Sequence, residues 1–206
     1  EDDLVVAIGI HNLAVVNMLA GKYNEALYYF HEAVLTKREN LQADNPLVAE
    51  SLVEIGILLY AREEYTRALA VFQDALECFG TDLFSSPTNT YSSSCSPSNV
   101  LNNIGCVHFA LKQHDMALSC LKKSLAISKM SMGASTPHAE STLLNFALTA
   151  SNVGRVKMDQ GHCGDALLLL EEALLVHQSV LGDNNKTVDS TIRKIAACIA
   201  AADQHT

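Results

Sequence analysis

The stretch GKYNEALYYFHEAVL, residues 21–35, has three echoes further along the chain. Residues 61–76 read AREEYTRALAVFQDAL, residues 112–125 read KQHDMALSCLKKSL, and residues 160–174 read QGHCGDALLLLEEAL. Each phrase passes from a short turn to an Ala and then to an apolar stripe at spacings of three and four, the period of one helix face. Aligned on Ala26, Ala68, Ala117 and Ala166, the phrases place Phe30, Phe72, Leu121 and Leu170 four residues on. Ala33, Ala75, Ser124 and Ala173 follow seven residues after the anchors. Twelve residues before the anchors stand Ala14, Gly56, Gly105 and Gly154, each preceded by an apolar Leu13, Ile55, Ile104 or Val153. Small residues let two helices approach closely, and large apolar ones beside them fill the seam. Each unit therefore reads as a helix, a short turn and an antiparallel second helix.

A helix pair of this kind cannot bury both of its faces, so successive pairs must stack. The small–large pattern at these offsets resembles the tetratricopeptide repeat, over roughly residues 4–203. The anchors lie 42, 49 and 49 residues apart, longer than the roughly 34 usual for that repeat. Phrases such as NLAVVNMLAGKYNEAL, NPLVAESLVEIGILLY and VLGDNNKTVDSTIRKIA are similar to the long repeats of kinesin light chains. In that pattern a His-Pro precedes the first helix. Here Asn45-Pro46 and Pro137-His138 approximate it and Asn185-Lys186 replaces it, so the repeat subtype is accepted and the motor-protein identity is not.

The fold expected is all-α: a right-handed superhelical solenoid of antiparallel helix pairs, forming a single domain over 1–206. Its units fall at about 4–42, 46–80, 97–132 and 138–181, with a terminal helix at 187–203. The segment SSPTNTYSSSCSPS, residues 85–98, is too rich in Ser, Thr and Pro to bury a core and reads as an exposed loop. Pro137 and Gly154 are 17 residues apart where Pro46 and Gly56 are 10 apart. The seven added residues make nearly two turns, so the fourth unit's first helix can lengthen with its faces in register. The terminal helix fits a fifth first-helix without its partner. Ile192, Ile195 and Ile199 make it apolar for a cap, which favours a chain that continues or an end that something covers.

Composition narrows the class. Apolar residues make up 49 % and charged residues 18 % of 206, an ordered-protein balance. A net charge of −9 and the lack of a basic stripe argue against nucleic acid. No apolar run approaches the roughly 18–20 residues that cross a bilayer, so membrane insertion is not expected. Six cysteines without a C-x-x-C pair read as reduced, mostly buried thiols, which favours an intracellular, cytoplasmic setting. The chain opens at Glu1-Asp2-Asp3 without a signal-like segment, so a targeting segment could stand ahead of it.

Stacked helix pairs curve, with their first helices on the concave side. The resemblance implies groove-facing residues around each small position. The residue two before it is Asn12, Glu54, Asn103 or Asn152. In related repeats an Asn here clamps the backbone of an extended peptide, because a carboxamide both donates and accepts. Tyr60, Phe109 and Met158 add apolar contact, each equally open to a place in the stack core. Arg155 is the one basic groove candidate, whereas Glu50, Glu54 and Asp159 disfavour an acidic tail and favour a neutral or basic partner segment.

Catalysis needs a constellation, and none is visible. There is no Gly-rich phosphate loop, H-E-x-x-H or nucleophile elbow, so no catalytic residue, cofactor or metal site is expected. Ser86-Pro87 and Ser96-Pro97 are minimal proline-directed phosphorylation sites in the Ser-rich segment. The function expected is non-catalytic: a protein–protein interaction module that holds a partner segment in its concave groove. The alternative is a scaffold subunit built permanently into a larger assembly through its convex face or ends.

Overall fold

A computed structural model describes residues 2–41, 45–80, 95–132 and 139–203. The described residues form α-helices and no strand, in the order α1 (Asp2–Leu19), α2 (Tyr23–Asn40), α3 (Pro46–Ala61), α4 (Tyr65–Glu77) and α5 (Pro97–Ala110). Then come α6 (His114–Met132), α7 (Ala139–Asp159), α8 (Cys163–Leu181) and α9 (Lys186–Asp203). The chain divides into two compact units, Glu1–Val107 and His108–Thr206, with the division falling inside α5. In the first unit α1 packs on α2, α2 on α3 and α3 on α4. In the second, α6 packs on α7, α7 on α8 and α8 on α9. Most of the Ser-rich segment (residues 81–94, Ser86 included) lies outside the described residues. At its far end Cys95 and Ser98 are buried.

One turn is built four times. Gly21, Glu63, Lys112 and Gly161, each five residues before an anchor alanine, all have positive φ between 61° and 78°. The amide after each reaches back five residues: Lys22 to Asn17 O at 2.9 Å, Glu64 to Leu59 O at 3.0 Å. Gln113 does the same to His108 O at 2.9 Å and His162 to Lys157 O at 2.8 Å. This left-handed closure satisfies the last carbonyls of the first helix. The same four residues then offer their own carbonyls to the anchor amides of Ala26, Ala68, Ala117 and Ala166, starting the second helix. The same backbone bonds thus close each hairpin, and neither Lys22, Glu64 nor His162 makes a side-chain cap. Side chains add to two of them, with His108 Nδ1 2.6 Å from Gln113 Oε1 and Lys157 Nζ donating to Asp165 Oδ2 at 2.6 Å.

The start of a first helix is marked differently. Asn45 accepts from Leu47 N at 3.0 Å and Asn185 from Thr187 N at 2.8 Å, the hydrogen bond of an asparagine N-cap. Ser96 Oγ accepts from Asn99 N at 3.3 Å ahead of Pro97, the first residue of α5. The stripe sits where its spacing puts it: Ala26, Phe30 and Ala33, Ala68, Phe72 and Ala75, and Ala166, Leu170 and Ala173 are all buried. A fully buried Phe or Leu contributes about 1.5–3 kcal/mol relative to exposure. Ser124 replaces the last alanine in α6, and its hydroxyl meets Thr149 of α7 at 3.2 Å. The lengthened first helix is α7, with 21 residues against 16 in α3.

Candidate functional site

The two units repeat each other in a fixed register. Residues 140 apart are equivalent: Asn45 and Asn185 both cap, Ala26 and Ala166 both anchor, and Gly21 and Gly161 both turn. The register picks out a pair of equivalent polar junctions, one in each unit, each made by a first helix, its second helix and the next first helix.

In the first unit the junction joins His11 of α1, Lys37 of α2 and Ser51 of α3. Lys37 is only 1 % exposed. Its Nζ donates to Leu47 O at 2.8 Å and to Ser51 Oγ at 3.0 Å. Ser51 Oγ lies 2.9 Å from Nδ1 of His11. Burial, then Lys37, lowers the His11 pKa, which favours the uncharged ring beside the Lys37 amine. Burial also lowers Lys37, opposed by Glu50. Glu54, one turn along α3, is raised by burial and by Glu50. Cys95 stands in the same field, its thiol pushed up to about 12 by burial first and Glu50 second. Such a thiol is protonated at neutral pH and a poor nucleophile.

Other candidates in this unit differ in access. Asn12 is exposed, while Glu54 and Asn103 are half-buried. Tyr60 is half-buried edge-on to Tyr65, with ring centroids 5.5 Å apart.

In the second unit Arg155 lies over the face of Phe109, 4.2 Å from the ring centroid. The ring also takes His114 at its edge and packs on Ala117, Leu121, Val153 and Val156. Its face and edge are therefore used within the fold. Nε of Arg155 is buried with no hydrogen-bond partner among the described residues. Asn152 is 7 % exposed, and Met158 packs on Ala166, Leu170 and Cys198. The structure thus brings Phe109 and Arg155 together, leaves little of Asn152 open, and sets Met158 against a core cluster.

A cavity of about 260 Å³ opens between α7, α8 and α9 at the second junction. Here the counterparts of His11, Lys37 and Ser51 are Ser151, His177 and Thr191, all buried. Thr191 Oγ1 lies 3.3 Å from His177 Nδ1, and Lys194 Nζ donates to Ser151 Oγ at 2.7 Å. Lys186 and Ser190 line the same space, with Leu148 and Thr187. Burial, then Lys194, lowers the His177 pKa. Sequence reasoning missed this cavity because it surveyed four first helices and left α9 out. Aligning α9 with α3 would have found it, since Lys194 then stands in the column of Asn12, Glu54, Asn103 and Asn152.

Among the described residues no group of three or more His, Cys, Asp or Glu is placed to hold a metal, and none of the six cysteines is in a disulfide. No described helix is long and apolar enough to cross a membrane.

Comparison with known proteins agrees with this geometry. Tetratricopeptide-repeat family models match residues 6–80 and, in two further stretches, 99–138 and 146–185. The chain belongs to the tetratricopeptide-repeat family, and its fold is an all-α helical-repeat solenoid. Among solved structures it is similar to a variant of the nearly identical TPR-like repeats of a Podosopora anserina protein described as a kinesin light chain. That match has a TM-score of 0.69 and 17 % identity, covering 99 % of this chain and 89 % of that one. BtubC (BKLC) from P. vanneervenii matches with a TM-score of 0.73 and 17 % identity, over 98 % of this chain and 74 % of its own. The apo form of RapI matches with a TM-score of 0.75 and 14 % identity, over 96 % of this chain and 64 % of that one. A search of curated sequences gives no significant match.

Proposed function

We propose that this chain is a non-catalytic interaction module that holds a segment of a partner protein on the surface formed by its first helices. The observation that carries the reading is the access of the asparagine column: Asn12 is open on α1 and Asn103 half-open on α5. A carboxamide at either place can pair with partner backbone whatever the partner's sequence. Near α3 the carboxylates of Glu50 and Glu54 favour a neutral or basic stretch of that partner. Asn152 acts from inside the fold, and Arg155 offers the edge of a guanidinium already stacked on Phe109.

A second reading, a scaffold subunit built into an assembly, draws on α1. Val5, Val16 and Leu19 of this helix are 69 %, 61 % and 80 % exposed, a stripe of the kind that interfaces cover. One comparison separates the two readings. Partner recovery from native extract is measured for an Asn12→Ala, Asn103→Ala chain and for a Val16→Ser, Leu19→Ser chain. Loss in the first with retention in the second supports the first-helix surface, and the reverse supports the scaffold.

A further inference from the structure

The two polar junctions share a framework and differ in charge. In the first unit the buried cation Lys37 lies in the field of Glu50, and Glu54 stands one turn further along α3. The chain therefore supplies its own counter-charge. At the positions equivalent to Glu50 and Glu54 the second unit carries Ser190 and Lys194, and at that of Pro46 it carries Lys186. Both carboxylates are thus exchanged, one for a hydroxyl and one for an ammonium, and a second ammonium is added. None of the residues lining the cavity is acidic. A net charge of −9 makes a concave site lined by two lysines and no carboxylate a local inversion of the chain's own field.

Cations and hydroxyls converging on a small space make a receptor for an oxyanion, since each is or can be a donor. The cavity runs along the first turns of α9, where the macrodipole adds to the same sign. Asp189 of the first turn is not among its lining residues, and Asn185 already takes the Thr187 and Asp189 amides. Its volume of about 260 Å³ suits one compact group and the start of a stem. A carboxylate brings two oxygens and one charge. A phosphate monoester brings three terminal oxygens and up to two charges, which is the better match to Lys186, Lys194 and the hydroxyls of Ser151 and Ser190. The Thr191 hydroxyl is already given to Thr187 O at 3.0 Å.

We propose that the cavity between α7, α8 and α9 is a phosphoryl-binding site, taking a phosphoserine or phosphothreonine side chain of a protein partner or free phosphate. Lys186 at the rim and Lys194 at the wall neutralise the charge, and the hydroxyls of Ser151 and Ser190 orient the oxygens. The site takes Lys194 from that column but none of its asparagines, so loss of phosphoryl binding and loss of the asparagine contacts are read by different variants.

Isothermal titration calorimetry on the whole chain tests it with four probes: inorganic phosphate, a phosphoserine peptide, and the same peptide with Ser or Glu in place of phosphoserine. Phosphate and the phosphopeptide are expected to bind, and the Ser peptide is not. Lys186→Gln changes an exposed side chain and leaves the core alone; it and Lys194→Gln should each weaken binding about tenfold or more, the worth of one charge-assisted contact. Binding of phosphate without the phosphopeptide would support the site and assign it to the free ion. Equal binding of the Glu peptide and the phosphopeptide would overturn phosphoryl selectivity. No heat with any probe, or binding untouched by Lys186→Gln and Lys194→Gln alike, would overturn the site.

Discussion

Gly56 of α3 faces the ring of Phe72 on α4 so closely that a Cβ there would lie 2.5 Å from Cε1 and 2.7 Å from Cζ. Phe72 is buried, and in a close-packed interior its ring cannot move aside without displacing its neighbours. Gly56→Ala is therefore expected to lower stability by about 1–3 kcal/mol, overriding the better helix propensity of alanine. At Gly154 the same Cβ would meet Cγ and Cδ2 of Leu170 at 3.0 and 3.1 Å and Ala166 O at 3.4 Å, a milder crowding than at Gly56. Gly154→Ala should therefore cost less than Gly56→Ala, about 1 kcal/mol. Urea unfolding of both variants checks the order.

Glu63 and Lys112 hold the left-handed conformation that glycine holds at the equivalent Gly21 and Gly161. A non-glycine residue there costs roughly 1–2 kcal/mol, partly offset by the greater freedom of an unfolded glycine. Glu63→Gly and Lys112→Gly should each raise stability by up to about 1 kcal/mol. Thermal melts with unchanged helical circular dichroism read the effect.

Ser51 accepts from Lys37 and sits against His11, so its hydroxyl joins a buried amine to a half-buried ring. Removing it leaves the Lys37 amine with one acceptor fewer, and Ser51→Ala should cost about 1–3 kcal/mol. Lys37→Met removes the group whose burial is costly and keeps the stem, so a smaller loss is expected. In the double variant the two losses should fall short of their sum, which a double-mutant cycle in urea measures.

His11 and His177 make stability depend on pH in one direction. Burial lowers both pKa values, with Lys37 and Lys194 adding to the shift. Between each lowered value and about 6.5 the unfolded chain binds a proton that the fold does not. Their contribution is whole above that window and is lost as pH falls through it. Glu54 runs the other way: its pKa is raised, so its burial cost is relieved as pH falls toward its folded value. The melting temperature should drop between about pH 7.5 and 5.5, and His11→Gln, His177→Gln should flatten that slope.

The small–large stripe was legible because close helix approach dictates it, and Ala26, Phe30, Ala68, Phe72, Ala166 and Leu170 all lie where that rule puts them. The hairpin turn was half legible. Gly21 and Gly161 advertise a left-handed residue, whereas Glu63 and Lys112 carry no such mark and adopt it because their neighbours in the repeat impose it. The groove was harder to read. Asn12, Asn103 and Asn152 occupy one column of the alignment, yet one is exposed, one half-buried and one buried. Burial of that column depends on the side chains packed over it, which the column itself does not contain. Met158 looked as suitable for a ligand as for the core, and its contacts with Ala166 and Leu170 come from the fold. The charge inversion at Lys194 was readable in principle, but only after α9 had been matched with α3.

Hydrogen–deuterium exchange on the chain alone and with a partner recovered from native extract tests the interaction surface most directly. Protection confined to first helices, foremost residues 53–60 of α3 and 99–109 of α5, is the result expected. Protection confined to the second helices α2, α4, α6 and α8 would contradict it.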